Sequence, residues 1–340
     1  MLRIKGYDLL NGGLEGVRYA WGEDNQTRYY AESAAFINRS KGKTENICGY
    51  TTSVSYGCVL HAAGKQCLFC RTGNNLPFRG FLTYKDIAKQ NVFMVLTDIY
   101  CSDHPELAHK EREFAYMGQG EPGFSYSQVR MAIELTNSIM RDLDQKVYRH
   151  VFATCGVPEA IKNYIDDLDH FYSERVTLHF SLHASNERSK IMPINEKYPF
   201  DEYIDLINGV YDASGEKACI GIMLFNQFCP KGKDFQYTNS TDSVKSIVQF
   251  LDPAKCRLSF CEYNPSQELG SAMEYSKSEV ETLLQMVSEM GFEAKTFASF
   301  GREKQTACGM LGGKEPDRVA SAKWKELEKV ADELIKKHTN

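Results

Sequence analysis

Nowhere do the 340 residues approach the roughly 18 uninterrupted apolar positions of a membrane-spanning helix, and the opening "MLRIKGYDLL" holds no apolar core or small-residue cleavage site. A soluble, cytoplasmic protein with no membrane partner is expected. The chain also lacks an excess of positive charge: 40 Lys and Arg stand against 45 Asp and Glu, a net charge of -5. That balance gives no general electrostatic footprint for a polyanion, although a local basic patch can hide within it. An even, closely spaced cysteine framework is missing as well. The eleven cysteines are scattered through apparent strands and loops, so reduced thiols are expected rather than disulfides.

What is present is an ordinary globular composition, 42% hydrophobic and 25% charged, sufficient for a sizeable core. From about residue 110 to residue 300, short apolar runs alternate with amphipathic segments, the rhythm of repeated βα units. The strands read "REFAYMG", "HVFATCG", "RVTLHFSLHA", "ACIGIMLF", "CRLSFCEYNP" and "AKTFASFG", after a first strand within "ICGYTTSVSY". The fold class predicted is α/β, with about six core strands in an open (βα) barrel rather than a closed eightfold one. Residues 1–45 read as a small β-rich cap, 46–300 as the barrel, and 301–340 as a C-terminal extension and helix whose charged face is a solvated surface.

Alternation along "RVTLHFSLHA" puts Thr177, His179, Ser181 and His183 on one face and Leu178, Phe180 and Leu182 on the other. In a barrel the apolar set meets the helices, leaving a polar lumen that implies a ligand. The same parity directs Glu262 and Asn264 inward, beside Leu258 and Phe260.

The stretch "GCVLHAAGKQCLFCRTG" holds Cys58, His61, Cys67 and Cys70. Together they form a possible tetrahedral zinc set. The three thiolates alone would instead hold a [4Fe-4S] cluster with one iron left open. The loop by itself leaves both alternatives standing. Further along, "MGQGEP" ends a strand in a glycine turn that permits close backbone approach, and Glu121 there can accept hydrogen bonds from an amine.

With "CLFCRTG" followed by "FRGFLTYKDI", then "MGQGEP", "SLHASNERSKIMPIN", "IMLFNQF", "YNP" and "TACGML" in order, the chain resembles the radical S-adenosylmethionine (SAM) enzymes of the RlmN and Cfr type. The resemblance implies a partial (βα)6 barrel of the radical SAM type. It also implies that Cys58, Cys67 and Cys70 ligate a [4Fe-4S] cluster whose open iron binds the methionyl end of SAM. Phe69 would then lie near the adenine, Gly120 and Glu121 at the methionyl end, Ser181 and His183 by the ribose and carboxylate, and Asn264 at the adenosine. An electron donor such as flavodoxin or ferredoxin would supply the reducing electron.

The chain departs from the family in four places. Eight residues separate Cys58 from Cys67 where the methyltransferases have three. The methyl-carrying cysteine matches Cys308, but the position of the resolving cysteine is Thr51, with Cys48 displaced by three. Ala153 stands for a SAM-contacting serine. Only 57 residues precede Cys58, too few for the relatives' N-terminal RNA-binding domain. The expectation is therefore a small-molecule substrate, a modified purine like queuine, with large RNA set aside. The chain resembles the clostridial-type queuine lyase in size and architecture, which implies C–N cleavage in 7-deazaguanine salvage. Glu262 would receive the purine edge, and Cys308 would take part in catalysis or be a remnant. Two alternatives are an adenine-C methyltransferase acting on RNA, with Cys48 as resolving thiol, and a non-enzymatic, zinc-stabilised binding protein.

Overall fold

Segments of period-two alternation rich in β-branched and aromatic residues form eleven strands of one sheet. The computed structural model describes residues 2–23, 31–36, 46–183, 187–264, 266, 268–297 and 309–340. In chain order the strands are β1 (Arg3–Leu10), β2 (Gly16–Gly22), β3 (Ala31–Phe36), β4 (Ile47–Thr51), β5 (Glu111–Tyr116), β6 (Val147–Thr154), β7 (Val176–Ser181), β8 (Ala218–Leu224), β9 (Cys256–Glu262), β10 (Glu293–Phe297) and β11 (Arg318–Val319). They lie in the order β10-β9-β8-β7-β6-β5-β4-β3-β2-β1-β11. From β4 to β10 every pairing is parallel. This is the open α/β barrel expected, β4 to β9 forming its six strands and β10 adding a seventh at the open edge.

Helices Tyr84–Tyr100, Tyr126–Asp142, Pro158–His170, Ile204–Ser214, Thr241–Val248 and Lys277–Glu289 supply the crossovers between parallel strands. Their apolar stripes share one core with Leu178, Phe180 and Leu182, as alternation along β7 predicts. On β9 the inward expectation for Glu262 fails. Leu258 and Phe260 belong to the same helix-side core, and register pairs Glu262 with Leu224, another helix-side residue. Alternation fixes which residues share a face but not which face looks inward, and β9 is apolar on the outside. Glu262 is exposed at the strand end, so the inward-facing residues of β9 are Arg257, Ser259 and Cys261.

Residues of the N-terminal segment join the same sheet, β1 to β3 running antiparallel up to β4. They are tied to the barrel by a fully buried ion network. Arg18 donates to Glu32 Oε1 at 2.8 Å and also to Asp8 and the Lys314 carbonyl oxygen. Glu32 Oε2 in turn accepts from Gln119 Nε2 at 2.6 Å and from the Gly313 amide at 2.8 Å. The glycine turn and the C-terminal segment thus share one carboxylate.

The C-terminal helix, Ala322–Lys337, corrects a second expectation, since part of its charged face is buried. Glu328 accepts from buried Lys89 at 3.0 Å and from the Ile4 amide at 3.1 Å. Lys89 also donates to the Leu2 carbonyl oxygen at 2.7 Å. Among the described residues no helix is long and apolar enough to cross a membrane.

Candidate functional site

The cysteine loop leaves β4 at the C-terminal end of the barrel. Cys58 and Cys70 each sit in extended backbone just ahead of a short helical turn, Val59–Ala62 and Arg71–Asn75, so both thiols are offered from helix starts. The Asn74 amide grips the loop, donating to the carbonyl oxygens of Cys67 at 2.8 Å and Cys70 at 2.7 Å. On one side Leu68 N donates to the Ile191 carbonyl oxygen at 2.9 Å. On the other, Arg71 N donates to the Gly309 carbonyl oxygen at 2.8 Å. Thr72 adds a hydrogen bond to the Leu311 carbonyl oxygen.

Burial, followed by the neighbouring Cys70, pushes the Cys58 thiol up. His61 has a different task. A carbonyl oxygen only accepts, so the 2.8 Å contact between His61 Nδ1 and the Gly73 oxygen places the proton on Nδ1. This bond braces the inserted loop against the Arg71–Asn75 turn. Zinc-thiolate bonds of about 2.3 Å would draw four ligands tightly around one ion. Cys58, His61, Cys67 and Cys70 do not form such a group, and among the described residues no set of three His, Cys, Asp or Glu does.

Beside the loop, Gly120 has φ +101°, and a Cβ there would stand 2.1 Å from Ser55 Oγ. Only glycine lets this turn lie against Val54 and Ser55. Glu121 is buried and largely satisfied. Its Oε1 accepts from Thr154 Oγ1 at 2.5 Å and from Gly123 N at 2.8 Å, and its Oε2 accepts from Cys155 N at 2.8 Å. The Cys155 thiol also lies within hydrogen-bonding reach of this carboxylate. Ala153 offers no polar side-chain atom. The hydroxyl that reaches the turn belongs to Thr154, and the Cys155 thiol lies within hydrogen-bonding reach of Cys67.

Ser181 ends β7 beside Gly221 in register. His183 is held in the left-handed region, φ +53°, by its amide donating to the Gly221 oxygen at 2.8 Å and its carbonyl accepting from Asn239 Nδ2 at 2.9 Å. Burial, and then the nearby Arg188 charge, lowers His183 to about 3, which leaves the imidazole neutral. Its Nδ1 is buried without a partner. The ring meets Phe69 edge-on at 5.5 Å, and Phe69 packs on Phe225 at 5.6 Å. Asn264 is buried at the end of β9, after Tyr263, which joins the same aromatic cluster.

Two residues not singled out in the sequence organise this surface. Arg188, 1% exposed, donates to the carbonyl oxygens of Leu182 and Ser181, both at 3.0 Å, to that of Cys155, and to Asn195 Oδ1 at 2.9 Å. Asn239 bridges the carbonyls of His183 and Met223, the latter at 2.7 Å. Arg188 lies inside "SLHASNERSKIMPIN" between Glu187 and Ser189, two residues from Lys190, where it reads as one more surface charge; "YTNST" around Asn239 offers no signal either.

The structure therefore brings the three cysteines, Phe69, the Gly120–Glu121 turn, Ser181 and His183 to one end of the barrel, and leaves Glu262 outside. Cys308 lies outside the described residues. Cys48 cannot serve as a resolving thiol at this surface. It shares the helix-facing side of β4 with Tyr50, is 1% exposed, and is raised to about 11 by burial and Asp98. Three thiols on one loop, two of them offered from helix starts, a turn that tolerates no Cβ, and a buried unpartnered imidazole nitrogen fit a [4Fe-4S] cluster carrying a polar organic ligand.

No family model matches the chain. It is 26% identical over 274 residues to "Probable dual-specificity RNA methyltransferase RlmN" of Flavobacterium johnsoniae, covering 81% of this chain and 71% of that protein. Against dual-specificity RNA methyltransferase RlmN of Rhodospirillum rubrum it is 28% identical over 268 residues, covering 76% of this chain and 56% of the relative. A radical SAM methyltransferase from Sphaerobacter thermophilus superposes with a TM-score of 0.71 at 20% identity, over 92% of this chain and 82% of that one. That likeness shows the fold. The expectation of a small-molecule substrate with large RNA set aside is overturned, because the relatives that match most of this chain are named as RNA methyltransferases.

Proposed function

From an RlmN/Cfr-like radical SAM core, we propose that this chain is a methyltransferase that acts on adenine in RNA, with Cys308 carrying the methyl group. The queuine lyase reading has no finding in its favour. Cys58, Cys67 and Cys70 hold the [4Fe-4S] cluster, and Gly120, Glu121, Ser181, His183 and Asn264 surround SAM. When bound, the pair supplies one-electron cleavage of a carbon–sulfur bond and a methyl donor, chemistry that belongs to the cofactor.

The chain's own residues orient and exclude water. Glu121 fixes the turn and the Cys155 backbone, the neutral His183 offers Nδ1 from a fixed backbone, and Phe69 with Phe225 keeps the floor apolar. The observation that supports the methyl-carrier reading most is the anchoring of the segment after Cys308: the Gly309 carbonyl accepts from Arg71 N at 2.8 Å, beside the cluster loop. Peptide mass spectrometry on the reconstituted protein, incubated anaerobically with SAM, is expected to find one added methyl on the peptide containing Cys308. Cys308→Ala is expected to keep its cluster yet lose all methyl transfer to RNA. Undiminished RNA methylation by that variant would remove Cys308 from the reaction.

A further inference from the structure

We propose that the lower half of the lumen is an anion subsite that takes a phosphate of the nucleic-acid substrate, an inference that rests on the RNA reading above. The inward faces of six consecutive strands place Glu113 (β5), Arg149 (β6), His179 (β7), Cys219 (β8), Arg257 (β9) and Lys295 (β10) next to one another. Register pairs Glu113 with Arg149, Cys219 with both His179 and Arg257, and Ser259 with Lys295. His179 feels Arg149, Glu113, Arg257 and Lys295 together, and Cys219 feels the three cations.

Among the described residues of this cluster, three cations stand beside the carboxylate of Glu113. Glu113 Oε2 is taken by Arg149, whose Nε and Nη2 both stand 2.7 Å away. Among the described residues neither Arg257 nor Lys295 forms an ion pair, and Arg257 Nε and His179 Nε2 are buried without hydrogen-bond partners. Among the described residues, a chain with net charge -5 thus places Arg257 and Lys295 in its lumen without a carboxylate in ion-pair contact. A phosphate placed here would accept from the buried Arg257 Nε and His179 Nε2 and face the Lys295 ammonium.

The position suits a nucleotide. The floor cluster lies toward the N-terminal ends of the strands, and the cysteine loop lies at their C-terminal ends. Lys295 is exposed on β10, the last strand of the sheet, where the barrel is open. An enzyme that acts on a base takes it out of the stack, and the attached phosphate then needs a partner beside the pocket.

The test uses the cluster-loaded protein with two probes. Inorganic phosphate is expected to raise the melting temperature of wild type and to leave Arg257→Gln/Lys295→Gln unshifted. A short single-stranded RNA is expected to bind the double variant at least tenfold more weakly, with the salt dependence reduced by about 0.7 in log–log slope for the one phosphate no longer neutralised. Lys295→Gln alone changes an exposed residue, keeps the fold, and is expected to carry about half of that slope change. Lys277→Gln, on a solvent-facing helix, should change neither readout. Equal phosphate shifts and equal RNA slopes in wild type and the double variant would overturn the subsite. Retained phosphate dependence without methyl transfer would overturn the RNA methyltransferase reading instead.

Discussion

Alanine in place of Cys58, Cys67 or Cys70, one at a time, is expected to leave a folded protein that retains no [4Fe-4S] cluster after anaerobic reconstitution. Each thiolate binds a different iron of such a cluster, so losing one leaves two irons without a protein ligand, and Cys155, the thiol beside Cys67, is a buried strand-end residue rather than part of the loop. The fold should survive, because the loop is held by backbone and Asn74 bonds that an alanine leaves intact. His61→Ala is the companion experiment. Its ring bonds to the Gly73 oxygen, so removing it loosens the insert while leaving iron and sulfide content unchanged. Iron, sulfide and visible absorption measured across the four variants decide the matter. Full clusters in any cysteine variant, or loss of the cluster in His61→Ala, would contradict the ligand set.

Arg188→Met is expected to carry the largest stability cost of any single change near the site. Its guanidinium satisfies three strand-end carbonyls and Asn195, and at 1% exposure no water can take its place. Each buried acceptor left unsatisfied costs about 1–3 kcal/mol, so a loss of about 3–5 kcal/mol follows after partial relaxation. The same carbonyls position Ser181 and the turn into His183, so SAM affinity should fall with stability. Arg188→Lys keeps the charge but loses the planar fork, and should recover less than half of the loss. Urea unfolding together with SAM binding checks both consequences. A change under about 1 kcal/mol would show that the strand ends are held by other means.

The barrel was legible because β-strand alternation and helix periodicity are strong local signals wherever one face meets a core and the other does not. They fade where both faces are buried. Helix Tyr84–Tyr100 is buried continuously from Ile87 to Asp98, so its polar residues Lys89, Gln90 and Asn91 break the amphipathic pattern and no helix was expected there. On β9 the difficulty was of another kind, since Leu258 and Phe260 fixed a face but not its direction. That misplaced Glu262 and hid Arg257.

The candidate site was legible in the ordered motifs that carry the family resemblance, since the cysteine loop alone left zinc and an iron–sulfur cluster both standing. Arg188 and Asn239 were not, since their work is to hold carbonyls brought together by strands distant in sequence. The substrate class was misjudged for a related reason. A net charge of -5 averages over the whole surface, whereas Arg149, Arg257 and Lys295 gather only when five strands come into register.

One reaction tests the central claim most directly: cluster-loaded protein, SAM with a deuterated methyl group, a reductant and RNA, under anaerobic conditions, followed by mass spectrometry of nucleosides and small products. The account expects labelled methyladenine in the RNA, together with S-adenosylhomocysteine and 5′-deoxyadenosine. 5′-Deoxyadenosine alone, with unlabelled RNA and no S-adenosylhomocysteine, would contradict it.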